Sequence, residues 1–576
     1  MRKTGNRQTG ILRTSSKALL TGAMGLLVSS AAFAGFSGSW DLAQIQSAES
    51  QWQKSYIEAD QKEFIIKLKS PLIARSMQQT ELLSGLTIQE TYVKGNYVVA
   101  SFGGELEQIK SQVIEIAANA EVEYIVPNLN LQALDLFIAD KPNDPKYSKQ
   151  YALEKVQAEA AWEYTKGSKE VVVAVIDTGV DYTHEDLEGQ IWENKAEIAG
   201  NDKDDDGNGF VDDVRGWDFD DADNDPMDDT SDGFFGFGGN PGHGTHCAGI
   251  IGATGDNEIG ISGMAQNITI MPIRFLNENG SGNLANSIKA IDYAIDNGAH
   301  IISASWGGSF PESVSAPIAE AIERAEKAGV IFVAAAANSG ANNDKENYFP
   351  TNAPYKNVIS VAATGQNDKK ASFSNYGIEN VHVGAPGVDI LSTLPDNEYD
   401  TLSGTSMATP LVAGLIALQF SISDDDGRRD PAAVKALLQS TGAVNDMEVA
   451  CNCRVDAGAA LESLDADELL IVPNTVSSDL GSKIELAAIG GEAPYRFEVA
   501  NQKVGSIDAK EDGSIVFTGN ETGKTKIVAY DTNGKRAITG LIRIRKEVKP
   551  GDECTMGSFI CGIQCWFNPS LPFCEE

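Results

Sequence analysis

The chain has 576 residues, 42% of them hydrophobic, enough for a large core with satellite domains. Its 45 basic and 82 acidic residues leave a net charge of −37. That balance excludes general attraction to nucleic acid or to an anionic membrane, and it favours solubility and cation binding.

Residues 1–34 read as a signal peptide. Arg2, Lys3, Arg7, Arg13 and Lys17 precede the apolar run "ALLTGAMGLLVSSAAFA", which ends in Ala32-Phe33-Ala34, a signal-peptidase pattern. The run is short for a span, and no later stretch is expected to be long and apolar enough, so stable membrane insertion is not expected. A secreted, extracellular protein is.

Residues 35–60 form a polar connector. Residues 61–135 read as a small α+β unit, with strands in "EFIIKLK", "GNYVVASF" and "VEYIVPNL" and helical spacing in "GELEQIKSQVIEIAAN". Over residues 140–464 near-continuous apolar runs appear: "VVVAVI", "ITIMPI", "HIISAS", "VIFVAAAA" and "VISVAA". Helical patterns alternate with several of them. This predicts an α/β, three-layer, doubly wound parallel sheet covered on both faces. Residues 469–547 show short strands between Gly, Asn and Asp turns, the texture of a small all-β sandwich, Ig-like in kind. A cysteine-rich tail, 548–576, follows.

Six of the seven cysteines form two clusters, Cys451 with Cys453 and Cys554, Cys561, Cys565 and Cys574. After export these are disulfide candidates of open connectivity; a zinc knuckle in the tail is the alternative. Cys247 stands apart, as a buried free thiol.

Asp177 directly follows "VVVAVI", Ser305 ends "HIISAS" and Asn338 follows "VIFVAAAA". Ligands bind beyond the carboxyl ends of parallel strands, so these polar residues fall where a site would be. A serine hydroxyl needs an imidazole to take its proton, and the imidazole needs a buried carboxylate to hold its tautomer. Ser406 in "LSGTSMATP", His243 in "GHGTHCAG" and Asp177 in "AVIDTGVD" supply one candidate for each role. Ser406 opens an apolar helix whose first N–H groups suit an oxyanion. The pair His243 and His246 does not match HExxH and lacks a third ligand, which argues against zinc.

The loop "DKDDDGNGFVDD" places Asp202, Asp204, Asp206 and Asp213 at EF-hand-like spacing, with the Asn208 backbone as a further ligand; the alternative is a solvated acidic loop.

The order Asp…His…Ser, with "VIDTGVD", "HGTHCAG" and "GTSMATP", resembles the subtilases, the subtilisin-like serine proteases. Cys247 within the histidine motif resembles the thermitase and proteinase K branches. The resemblance implies a serine endopeptidase in which Asp177 orients the base, His243 is general base then acid, Ser406 is the nucleophile and Asn338 donates to the oxyanion. It implies that Ser305, Trp306 and Gly307 pair with substrate and line the S1 pocket. Where the family usually has glycine before the asparagine, this chain has Ala337, whose methyl should narrow that pocket. The resemblance also implies structural Ca2+ at a second site from Asp144, Asp186 and Asn257. It makes 61–135 an inhibitory propeptide and folding chaperone, removed by self-cleavage within 128–141. The expected partners are protein or peptide substrates and the chain's own propeptide, with no nucleic acid, and a monomer is expected. A different class remains open, a non-catalytic calcium-dependent surface or binding protein that retains a protease-like domain.

Overall fold

The computed structural model describes residues 63–69, 86–92, 97–104, 106–117, 122–127 and 141–546, with 232–239, 310, 424–425, 446 and 511–512 left out. The signal peptide, connector, cleavage region and cysteine-rich tail lie outside the described residues. Two compact units result, Met1–Phe137 and Ile138–Glu576.

Among its described residues the first unit is a four-stranded antiparallel sheet with one helix. Its strands are β1 (Glu63–Leu68), β2 (Thr87–Tyr92), β3 (Tyr97–Ser101) and β4 (Val122–Pro127), in the order β2-β3-β1-β4; its helix is α1 (Leu106–Ala117). Alternation puts Phe64, Ile66 and Leu68 on one buried face. Helical spacing brings Ile109, Val113 and Ile116 onto them.

The second unit is built on β5 (Val172–Asp177), β6 (Trp217–Asp218), β7 (Thr269–Arg274), β8 (Ile301–Ala304), β9 (Ile331–Ala335), β10 (Val358–Thr364), β11 (Val383–Pro386), β12 (Ala443–Val444) and β13 (Cys453–Arg454). These make one sheet in the order β12-β13-β11-β10-β9-β8-β5-β7-β6. Every pairing is parallel except β12 with β13. Alternate residues of β5 serve two cores. Val173 and Val175 pack with α2 (His243–Gly252) and α5 (Thr405–Ile422), while Ala174 and Ile176 pack with α3 (Leu284–Asp296) and α4 (Glu312–Lys327). The three layers follow from that alternation.

The chain leaves β5 toward β7 and later returns to β8 on the other side of β5. The strand order therefore reverses at β5, and a crevice opens beyond its carboxyl end. Contrary to expectation, one later segment, α5, is long and apolar enough to cross a membrane; it is 83% buried as the core helix of this unit.

Strands from Leu470 to Arg545 form three small sheets around a separate core of Ile471, Leu486, Ile515, Phe517, Ile527 and Ile544. Arg428 holds the segment that leads into this module through Asp467 and the Glu468 carbonyl. Cys451 and Cys453 are joined as a disulfide. Because the module has its own core, Phe517→Ala should destabilise it by about 3–5 kcal/mol. Calorimetry should show one transition lowered and that of the nine-stranded sheet kept.

Candidate active site

Asp177 ends β5 and is fully buried. Its Oδ1 accepts from the Thr178 backbone at 2.8 Å and faces His243 Nδ1 at 2.7 Å. Its Oδ2 is buried with no partner. His243 opens α2, so the imidazole is carried by a rigid helix that starts against the end of β5. That approach requires glycine at 244, because a Cβ there would lie 2.0 Å from the Gly179 carbonyl oxygen. Burial alone would lower the imidazole pKa, but the Asp177 charge and hydrogen bond, with the Asp228 charge, outweigh it and leave the pKa above its ordinary value.

Ser406 lies in the first turn of α5, half-buried. Its hydroxyl donates to the Ser305 carbonyl at 3.1 Å, and among the described residues no hydrogen bond joins it to His243. Pro410 has no N–H for the Ser406 carbonyl four residues back. Ser305 Oγ takes that oxygen at 2.9 Å and Cys247 Sγ approaches it at 3.5 Å. Cys247 Sγ, a His243 ring nitrogen and an Asp177 oxygen lie within 4.8 Å of one another. The strand end, the histidine helix and the serine helix thus meet at one place.

Asn338 follows β9. Its Oδ1 accepts from the Thr405 backbone at 2.9 Å and from Thr405 Oγ1 at 3.0 Å. That leaves the amide nitrogen to point elsewhere. A methyl built on Gly404 would sit 3.5 Å from both Asn338 Nδ2 and the Ser406 backbone nitrogen, so the two nitrogens flank the same stretch of backbone. Ala337 adopts φ +87°, a conformation that favours glycine. Trp306 donates from Nε1 to the Ile176 carbonyl at 2.8 Å and packs edge-on to Phe275. Gly307 abuts the Phe349 carbonyl.

His246 is buried, and its Nε2 meets the Asp400 carbonyl at 3.1 Å. Burial pushes its pKa down to about 3, so it stays neutral. Burial pushes the Cys247 thiol well up.

In the acidic loop the structure gathers Glu197, Asp206 and Asp213, with one oxygen of each within 4.8 Å of the others. Two oxygens on opposite sides of a calcium ion at about 2.4 Å would be separated by that distance. Glu197 and Asp213 are buried. The amides of Asn194 and Asn208 both reach Asp206 and Asp213. Sequence spacing missed Glu197, which precedes the loop. Asp204 instead closes the turn, accepting from the backbones of Gly207, Asn208 and Gly209. Asp202 stands outside the cluster. A hard cation fits the three carboxylates, which no lysine or arginine pairs with among the described residues.

Asp144, Asp186 and Asn257 are also brought together. Asn257 Nδ2 lies 2.8 Å from Asp186 Oδ1, and Asp144 accepts from the Asp256 and Asn257 backbones and from Ser262. The other Asp186 oxygen accepts from the Ile261 backbone and Tyr399. Each carboxylate here has three protein donors, as do Glu197, Asp206 and Asp213, so donor number does not separate the two clusters.

Residues 168–464 match the family described as the subtilase family. The chain is 39% identical over 354 residues to the thermophilic serine proteinase of Bacillus sp. (strain AK1), covering 61% of this chain and 75% of that protein. It is 40% identical over 301 residues to thermitase of Thermoactinomyces vulgaris, covering 52% and 91%. A solved protease structure from Pseudoalteromonas arctica PAMC 21717 aligns at 30% identity and a TM-score of 0.46 over 56% of this chain and 99% of that one. With its central strand, histidine helix and serine helix arranged as above, the chain belongs to the subtilase family and is a subtilisin-like serine endopeptidase.

Proposed function

We propose a secreted, calcium-stabilised endopeptidase, made as a zymogen, in which Asp177, His243 and Ser406 act as the triad. The observation that carries this is the 2.7 Å contact between His243 Nδ1 and the buried Asp177, which leaves Nε2 as the proton acceptor. Ser406 Oγ attacks the scissile carbonyl as its proton passes to His243. The C–O bond forms and the carbonyl electron pair moves onto oxygen, where Asn338 Nδ2–H and the Ser406 N–H receive it. His243 then gives the proton to the leaving amine as the C–N bond breaks. Water repeats the sequence to release the acid. The Ser406 hydroxyl must leave the Ser305 carbonyl to begin.

The 61–135 unit is read as the inhibitory propeptide and the N-terminal segment as the export signal. Domain limits follow the sequence reading: catalytic 140–464, sandwich 469–547, tail 548–576. Calcium holds the loop at Glu197, Asp206 and Asp213 and takes no part in the chemistry. Ser305, Trp306, Gly307 and Ala337 line the substrate cleft.

Ser406→Ala should lower kcat about a millionfold and abolish fluorophosphonate labelling, while Asn338→Ala costs about a hundred- to a thousandfold; both are the scale known for subtilisin. A Ser406→Ala protein with full activity would overturn the reading. Since only neutral His243 accepts the proton and its pKa is raised, kcat/KM should climb with pH through a midpoint above 6.5. Chelator should lower the Tm, and Glu197→Gln should remove the increment that calcium restores. Ala337→Gly relieves the strained φ and should stabilise the enzyme by about 1 kcal/mol. It should also raise cleavage after Phe relative to Ala, read from a pair of peptide amides.

A further inference from the structure

A second buried carboxylate stands behind the first turn of α2. Asp228 is 5% exposed and has no cationic partner among the described residues. Its Oδ1 accepts from Thr178 Oγ1 at 2.8 Å and Asn240 Nδ2 at 2.9 Å. Its Oδ2 accepts from the Thr245 backbone at 2.9 Å and Thr245 Oγ1 at 2.7 Å. A buried ion without a counter-charge costs several kcal/mol, so this arrangement calls for a reason.

The reason lies in what those partners hold. The N–H groups that open a helix have no acceptor within it. Here Gly242, in the left-handed region, offers no side-chain cap. Instead the His243 N–H donates to Asn240 Oδ1, the Gly244 N–H to Thr178 Oγ1 and the Thr245 N–H to Asp228 itself. Thr178 Oγ1 accepts from Gly244 and Thr245 Oγ1 accepts from the Asp181 N–H, so each hydroxyl has its single proton left for Asp228. All four contacts to Asp228 are therefore donations, which suit the ionised carboxylate. Thr178 is also the residue after Asp177. One anion thus ties the end of β5 to the start of the helix that carries His243, and it sits at the positive end of that helix.

We propose that Asp228 is a positioning residue for peptide hydrolysis, the common acceptor that fixes the His243 helix against the Asp177 strand and a second negative charge supporting the imidazolium. This rests on the reading of His243 as general base. The titratable groups around His243 are Asp177 from β5, Asp228 from the loop before α2, and His246 and Cys247 from α2 itself; α5 brings Ser406.

The test compares the mature wild-type enzyme with Asp228→Asn on a soluble peptide amide. Asparagine keeps the volume, removes the charge and opposes a donor to the Asn240 amide. The expected result is kcat reduced roughly ten- to a hundredfold with KM within about twofold. The acid limb of kcat/KM should move down by about half a pH unit or more. The low-field proton resonance of His243 Nδ1–H should titrate at correspondingly lower pH. An unchanged acid limb with wild-type kcat per labelled active site, even if the Tm falls, would overturn the proposal. If Asp228→Asn does not mature, Thr178→Val and Thr178→Ser decide the matter. Valine should reproduce the kcat loss in milder form and serine should restore it; valine behaving as wild type would also overturn the proposal. Ser406→Ala runs alongside. Activity without Ser406 would sink the hydrolytic reading itself, whereas loss there with Asp228→Asn unaffected sinks only the role of Asp228.

Discussion

A carboxylate without water is the constraint on which the site depends. Asp177 has no exposed surface, and one of its oxygens has no partner at all. Such a group is held in place only where its surroundings leave it no alternative. The strand that carries it is clamped between two apolar layers, and the other oxygen is met by the Thr178 N–H and by His243. In the proposed reaction, proton transfer to His243 turns this anion into half of an ion pair. The burial that is unfavourable in the resting enzyme is therefore relieved as the reaction proceeds, which is the sense in which the fold prefers the transition state to the ground state.

A second constraint comes from Pro410. A proline in the first turns of α5 leaves the Ser406 carbonyl without its helical donor, and that oxygen becomes a knot for the other two elements. Ser305 from the end of β8 and Cys247 from α2 both turn toward it. Packing and one weak hydrogen bond account for the cysteine beside Asp177 and His243, and burial raises its thiol pKa. Gly414 of α5 completes the contact, since a Cβ there would lie 3.0 Å from the Ile251 carbonyl oxygen of α2.

The apolar runs made the central strands legible, because a strand buried on both faces needs no alternation and leaves a continuous signal. The edge pieces Trp217–Asp218, Ala443–Val444 and Cys453–Arg454 are two residues each and carry no period. Val383–Pro386 reads "VGAP", where glycine and proline disguise a strand. Ser406, His243 and Asn338 stood out for the same reason as the strands: each follows an apolar run or opens an apolar helix. Asp228 was not, being one of thirteen aspartates between 202 and 229, with nothing in its neighbours to mark it as buried. The acidic loop stood out by its composition, but its spacing did not mark Glu197 as a member of the carboxylate cluster. Aspartates at every second position allow two starting points, and only the backbone turn, closing on Asp204, separates them.

That acidic stretch divides by the charge available to it. From Asp218 to Asp229 four of the carboxylates gather round one buried guanidinium. Arg274 reaches Asp218 at 2.6 Å, Asp221 at 3.1 Å, Asp229 at 3.2 Å and Asp220 at 3.8 Å. Burial still pushes the Asp218 carboxyl up to about 6, so even this cation does not fully offset the desolvation. From Glu197 to Asp213 the same density of charge has no side-chain cation among the described residues, only amides and the Tyr293 hydroxyl. Two of its three clustered carboxylates, Glu197 and Asp213, are buried, as is Asp218 beside Arg274. Neutral donors do not cancel three clustered negative charges, and the proposed calcium ion would answer the charge of this half of the stretch. Both halves lie between the strand of Asp177 and the helix of His243, so a cation that orders the loop also limits the freedom of the connection joining the acid to the base.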